Sequence, residues 1–495
     1  MDSRGHRAWA QEEFGRALLS DVRLVQRVVA MTSQLAARPS PTLPRVFPAP
    51  NDARAAYDLL NNPRVEVEDL LTGRAEACAR RCDGRPLLVC PEDGSSWTFT
   101  DPAHAKGTGP IGSHKHGARG DKVMTVYALL PDGTPMGILA EQVWTRPEQA
   151  STEPLGLRAL EDKESFWWTE LQRRALAVVQ STCRKPPRLW FQMDREADSS
   201  SVLLHAHALR GEHYVTVRVE DNRTLAACLV PRQKTSKGEN RAAKLHDALA
   251  AAESVGTTRV RIRSKGRVKR VAHVEIRVAD VTLRLREAWS KKHLKDVPIT
   301  VVIAREIREG SRGGDEPLEW MLYTTYPVRR ADDALEVVRA YALRWRIERH
   351  HFATKTGACE LPDSQLRSFA ARRKWIVMTT SVSAHLQHVL YRARSEPDVA
   401  ALEEFAAEEI EATQCLLAGR KMKAGFASIE QATLGQVVES MARLGGYQGP
   451  KRSGGPPGIQ TFERGYQQVE AARVALEGLR ATSASPQGAR VKGGA

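Results

Sequence analysis

The chain has 495 residues, of which 42% are hydrophobic, with a formal net charge of +15 and a pI near 9.6. That length holds roughly three domains of ordinary size, and the hydrophobic share excludes a globally disordered chain. The surplus of cations favours a polyanionic partner, most simply nucleic acid. No apolar run approaches the roughly 18 residues of a membrane span. Met1-Asp-Ser-Arg-Gly-His has no apolar signal region, so a cytoplasmic, nucleoid-associated protein is expected.

The N-terminal segment, residues 1–75, reads as a helical unit. Trp9, Phe14, Leu18, Leu19, Val22, Val25, Val28 and Val29 recur at helical spacing, with a break near Leu19-Ser-Asp. Arg38-Pro-Ser-Pro-Thr-Leu-Pro is a Pro-rich connector, and Ala55 to Asn62 forms a helix that ends at Pro63. Cys78 and Cys82 are the one near pair among seven scattered cysteines. No second Cys/His pair stands at zinc-ligand spacing, so they read as ordinary thiols. His114 and His116 flank Lys115 near Arg119, which reads as a cationic loop.

From about residue 85 the period changes. Leu87-Leu-Val-Cys predicts a short buried strand, with Glu92-Asp93 at its end. Lys122 to Leu130, the turn Pro131-Asp-Gly-Thr and Met136 to Ala140 predict a hairpin. A helix follows over about 151–179, then the strand Arg188-Leu-Trp-Phe-Gln-Met leading to Asp194. Residues 212–315 are strand-rich. Within them Thr258 to Arg270 carries seven cations and no acid, readable as a solvated hairpin face or as a phosphate-tracking ribbon. Asp332 to about Gly357 predicts one helix, and the chain then reads as helical to about Ala481, apart from Gly445 to Gly458. The last residues, 482–495, form a Gly/Ser/Lys tail.

The helix over 332–357 carries the most informative pattern. At about 100° per residue, Tyr341, Arg344, Glu348 and Lys355 share an arc of roughly 60°. A core-facing stripe would be apolar. A carboxylate flanked by cations can hold a metal while the cations hold a phosphate. Asp93 and Asp194 each follow a strand and can be delivered to a sheet edge. Two strand carboxylates and one helix carboxylate can hold two divalent cations roughly 3.5–4 Å apart for in-line phosphodiester chemistry. Oxygen ligands suit Mg²⁺, with Mn²⁺ as a substitute. Pro91 cannot donate a ladder hydrogen bond, so Glu92 stands as an alternative first ligand.

Asp194-Arg-Glu-Ala-Asp, Trp320, and Tyr341, Arg344, Glu348 and Lys355 in the spacing Tyr-x2-Arg-x3-Glu-x6-Lys resemble the DDE transposases of the insertion-sequence-four group. The resemblance runs from Trp9-Ala-x3-Phe14 to Ala442-Arg-Leu-Gly-Gly-Tyr447. It implies an α/β fold: a ribonuclease-H-like catalytic core over 76–375, with 212–315 as a β-rich insertion. A helical DNA-end-binding domain (1–75) and a helical dimerisation domain (376–481) flank it. It implies that Asp93, Asp194 and Glu348 are the catalytic, metal-binding triad. Tyr341, Arg344 and Lys355 would contact DNA phosphates, and Trp320 would stack on a flipped base. The implied activity is cut-and-paste transposition through a DNA hairpin. Its partners are terminal inverted repeats, target DNA and a second protomer in a synaptic homodimer, with no membrane. A catalytically inactive DNA-binding repressor derived from such an enzyme is the alternative.

Overall fold

The computed structural model describes residues 5–99, 106–112, 117–148, 159, 161, 163–219, 225–227, 245, 252–263, 269–286, 294–307, 317–357 and 359–484. His114, His116, residues 264–268 within the cation-rich stretch Thr258 to Arg270, and the tail beyond Ala484 lie outside them. The chain divides into two compact units: residues 78–96 with 109–349, and residues 1–77 with 97–108 and 350–495.

The first unit is built on one mixed sheet. Its strands are β1 (Leu87–Thr98), β2 (Gly109–Pro110), β3 (Arg119–Leu129), β4 (Pro135–Trp144), β5 (Arg188–Met193) and β6 (Tyr214–Val219). They continue with β7 (Leu225–Ala227), β8 (Ser254–Arg263), β9 (Lys269–Arg286), β10 (Leu294–Glu306) and β11 (Glu319–Thr324). The order is β2-β3-β1-β5-β6-β11-β10-β9-β7, with β4 beside β3 and β8 beside β9. The expected hairpin is present as β3–β4. The strand-rich segment 212–315 does not form a separate sheet: through β6, β11 and β10 it extends the sheet that holds β1 and β5.

Alternation along these strands sets the two faces. Leu88 and Cys90 of β1 and Leu189, Phe191 and Met193 of β5 enter the apolar core. Helix α6 (Phe166–Thr182) covers that core with Trp168, Leu171, Ala175 and Val179, and α7 (Ser200–Ala208) adds Val202, Leu203 and Ala206. The sequence placed the start of α6 near residue 151. The described helix starts at Phe166, after turns over 163–165, and residues 151–158 lie outside the described set. On the opposite face Trp190 stacks on Tyr326 at 4.2 Å and donates through Nε1 to Thr216 at 2.9 Å.

The other unit is helical. Its first part holds α1 (His6–Phe14), α2 (Val22–Ala37), the single turn α3 (Leu43–Val46), α4 (Pro50–Asn61) and the start of α5 (Val67–Cys82). Asp21 caps α2, accepting from the Arg23 N–H at 2.9 Å. Pro50 opens α4 at a position where its missing N–H costs nothing. Trp9, Phe14, Val28, Leu35, Phe47, Leu59 and Leu60 are buried. The C-terminal part holds α10 (Phe369–Ser395), α11 (Ala407–Gly419), α12 (Leu434–Leu444), the short α13 (Pro450–Ser453) and α14 (Ile459–Ala484). The predicted break over 445–458 is real, interrupted by α13. Among the described residues, no helix is long and apolar enough to cross a membrane.

Candidate active site

The site begins with the register of two parallel strands. β1 pairs β5 from Leu87↔Arg188 to Pro91↔Gln192. Continuing that register by two residues sets Asp93 level with Asp194, and the pleat turns both toward the face opposite the α6 core. Pro91 stays inside the strand, because its fixed φ suits extended backbone and the chain loses one donor rather than its direction. β1 therefore does not end at Asp93, as the sequence suggested, but runs on to Thr98. Asp194 does close its strand. It caps a short 3-10 turn over Arg195–Ala197, accepting from the Glu196 N–H at 2.9 Å.

Glu348 arrives from a different element, and here the sequence expectation needs correction. The predicted single helix over 332–357 is two helices, α8 (Ala331–Ala342) and α9 (Trp345–Thr356). Between them the carbonyls are taken three residues back rather than four. Arg344 donates to Tyr341 at 3.0 Å, and Ile347 donates to Arg344 at 3.1 Å. This tightened joint shifts the helical phase. The 60° arc of one ideal helix is thus not how these side chains meet. Tyr341 ends α8, Arg344 lies in the joint, and Glu348 occupies the first turn of α9, where a carboxylate suits the helix dipole.

Arg344 binds the group together. Its Nη2 meets the Glu348 carboxylate at 2.6 Å and its Nη1 lies 3.6 Å from Asp93 Oδ2. Its Cζ sits 5.9 Å from the Tyr341 ring centroid and 5.8 Å from that of Trp345. Burial alone would lower the Arg344 pKa, yet Tyr341, Glu348, Asp93 and Asp194 together hold it above its usual range. Burial pushes the Asp93 carboxyl up to about 7; Asp194 and Glu348 push the same way, against Arg344 and the Gly94 N–H. Three acids thus crowd one guanidinium. Such a cluster binds a cation more readily than it ionises fully without one.

Glu92 points the other way. It is fully buried and its Oε2 accepts from Gln172 Nε2 of α6 at 2.8 Å. Burial pushes its carboxyl well above the usual range. The alternative first ligand therefore sits in the opposite face of the sheet from Arg344. Gln172 is a buried polar partner that the sequence reading missed. Its signal was a polar residue within the buried stripe Trp168, Gln172, Ala175, Val179.

Trp320 is 3% exposed, and its ring meets Tyr341 edge-on at 4.9 Å. The structure thus brings Trp320 to the site as a packing partner of Tyr341, with its faces enclosed. Lys355 lies in the last turn of α9 and belongs to the helical unit. Arg218 of β6 is half-buried, and its charge reaches Tyr341.

Asp93, Asp194 and Glu348 offer hard carboxylate oxygens of the kind Mg²⁺ or Mn²⁺ takes; among the described residues, however, the group whose ligand atoms all lie within 4.8 Å of one another is His6, Glu409 and Glu470. The Arg344 atoms Nε and Nη1 are buried and make no hydrogen bond among the described residues. Guanidinium donors of this kind, Nη1 already facing Asp93 at 3.6 Å, suit a phosphate oxygen.

Residues 6–65 match the family described as transposase DNA-binding. The matched stretch spans α1 to α4. It supports a transposase and gives DNA as the partner of the helical unit.

Proposed function

We propose that the chain is a cut-and-paste DNA transposase of the DDE type, in the insertion-sequence-four group and similar in its signature to the transposase of transposon Tn five. The observation that carries this reading is the gathering of Asp93, Asp194 and Glu348 around Arg344. It stands in a chain whose residues 6–65 match a transposase DNA-binding family. A mixed sheet that carries one aspartate inside a strand and the other level with it on a parallel neighbour suits a ribonuclease-H-like core.

In this reading Asp93, Asp194 and Glu348 hold the divalent cations. When bound, those ions supply a water or 3′-hydroxyl of lowered pKa and stabilise charge on the leaving oxygen. The protein's own side chains do the rest. Arg344 offers Nε and Nη1 to a non-bridging phosphate oxygen, while Nη2 keeps Glu348 aligned. Tyr341 shapes the wall beside the guanidinium, and Lys355 contacts the DNA backbone. Trp320 keeps Tyr341 in place, and stacking on a flipped base requires its ring to leave that packing. Hydrolysis of one strand frees a 3′-hydroxyl, whose attack on the other strand gives a hairpin. A second protomer holds the second element end.

The test uses duplexes made from the DNA that flanks the reading frame. Purified protein with Mg²⁺ should nick them at a fixed position and then yield a hairpin that runs slowly on a denaturing gel. Specific binding without any metal-dependent strand breakage would overturn the enzyme and leave a DNA-binding repressor.

A further inference from the structure

Within the helical unit, a cleft of about 470 Å³ opens where the connector after α2 runs beside α14. Arg38 caps α2, Arg45 sits in the last turn of α3, and Arg464 lies on α14. Arg45 and Arg464 are exposed and Arg38 is half-buried. Among the described residues, no carboxylate lies within ion-pair distance of any of the three. Other arginines of this unit are paired with acids: Arg443 with Glu439 at 2.7 Å and Arg373 with Glu68 at 2.9 Å. Ser40 and Gln460 also line the cleft with neutral donors, while the Thr356 hydroxyl there donates to the Phe352 carbonyl at 3.0 Å. Two acids line it too: Glu463 is buried and Glu360 is exposed. Three cations against two acids leave the cleft's lining positive; behind it the Arg38 charge also acts on buried Glu470, whose carboxyl burial raises above its ordinary range.

We propose that this cleft binds backbone phosphates of duplex DNA, with Arg464 of the C-terminal helix completing a cradle begun by Arg38 and Arg45. The proposal rests on the DNA-binding reading of residues 6–65 and adds a contact that lies about four hundred positions downstream of that match. Guanidinium forks bind phosphate oxygens in pairs, and hydroxyl and amide donors complete such sites without reading sequence. Arg38 and Arg45 stand on a Pro-rich connector that holds them close to the cleft. DNA bound by the N-terminal helices would thereby also grip α14.

The test is the salt dependence of DNA binding by the full chain, followed by fluorescence anisotropy on the flanking duplex. Each lost phosphate contact should flatten the log–log slope by about 0.9 and weaken binding roughly eightfold at about 0.1 M salt. Arg464→Ala and Arg38→Ala should each do so, whereas Arg464→Lys should restore the slope because the charge returns. The paired Arg443→Ala should change neither quantity. Arg464 is exposed, and a thermal melt of each variant confirms that it is folded. Wild-type binding with a steep salt slope, but no change in Arg464→Ala, would overturn the cradle and leave the DNA-binding reading intact. Inorganic phosphate that raises the melting temperature through Arg464, with no effect of Arg464→Ala on DNA, would make the cleft a free-anion site. A wild-type chain that binds no duplex would overturn the DNA-binding reading and the cradle with it.

Discussion

Glu92 and Asp93 are neighbours in sequence and opposites in space: Asp93 faces Arg344 at 3.6 Å, while Glu92 turns through the sheet to Gln172 at 2.8 Å. The pleat of one strand thus separates an acid that faces Arg344 from an acid placed in the core. Asp93→Asn should abolish metal-dependent nicking while leaving DNA binding within about twofold of wild type, since in the proposed mechanism its charge serves the cation and not the docking of DNA. Glu92→Gln should nick at near wild-type rate, because its carboxyl faces Gln172 in the core rather than Arg344. Nicking and gel-shift assays on both variants check this, and loss of nicking in Glu92→Gln alone would move the first ligand.

Trp320 gives a second prediction. Its burial against Tyr341 predicts that Trp320→Ala loses roughly 3–5 kcal/mol of stability. Trp320→Phe, which keeps an edge-on ring, should lose clearly less. If packing is its whole role, nicking and hairpin formation fall together in Trp320→Ala. A selective defect in hairpin formation, with little change in the thermal melt, would show that the ring leaves its pocket for a base.

His350 provides a pH dependence. Burial, and secondarily the Arg74 charge, lowers its pKa to about 3 from an ordinary 6.5. Its Nδ1 lies 3.3 Å from Gln387 Nε2, so the neutral ring can accept that hydrogen bond. Below pH 6.5 the unfolded chain takes up the proton and the folded chain does not. Stability from this group is therefore present above pH 6.5 and is lost as pH falls toward 3. Between neutral pH and pH 5 the loss is about 2 kcal/mol. Urea unfolding at the two pH values should show a smaller drop in His350→Gln than in wild type by about that amount.

Helices α12 and α14 touch through glycine. A Cβ at Gly465 would lie 1.6 Å from the Met441 carbonyl oxygen, and one at Gly445 would lie 1.9 Å from that of Thr461. Both obstacles are backbone, so neither can swing aside. Gly465→Ala should cost about 3 kcal/mol or more, read as a lower melting temperature. By contrast Gly478→Ala, with open space around its Cβ, should be neutral or slightly stabilising.

Much of the site was legible because its residues are chemically unusual for their elements. Tyr341, Arg344 and Glu348 broke the apolar pattern of a helix, and Asp194 ended an apolar strand. The sheet pairing of β1 with β5 was not legible, since register over some hundred residues leaves no local mark; yet it is what sets Asp93 level with Asp194. The joint at Leu343–Arg344 was hidden for another reason. It contains no glycine or proline, and its shift from four-back to three-back bonding leaves composition unchanged. The enclosure of Trp320 was equally silent, because a tryptophan at a strand start fits a stacking platform and a core alike.

That joint makes the signature's spacing a matter of angle between two rods. Tyr341 rides on one helix and Glu348 on the next, with Arg344 at the elbow. One residue inserted at Leu343 would leave the residues of α8 and α9 themselves unchanged. It would also turn Glu348 by about 100° around the axis of α9 relative to Tyr341. In the proposed transposase the count of residues at this elbow therefore sets two things at once: a turn that carried Glu348 away from Arg344 would carry the buried Ile347 of the same helix out of its packing.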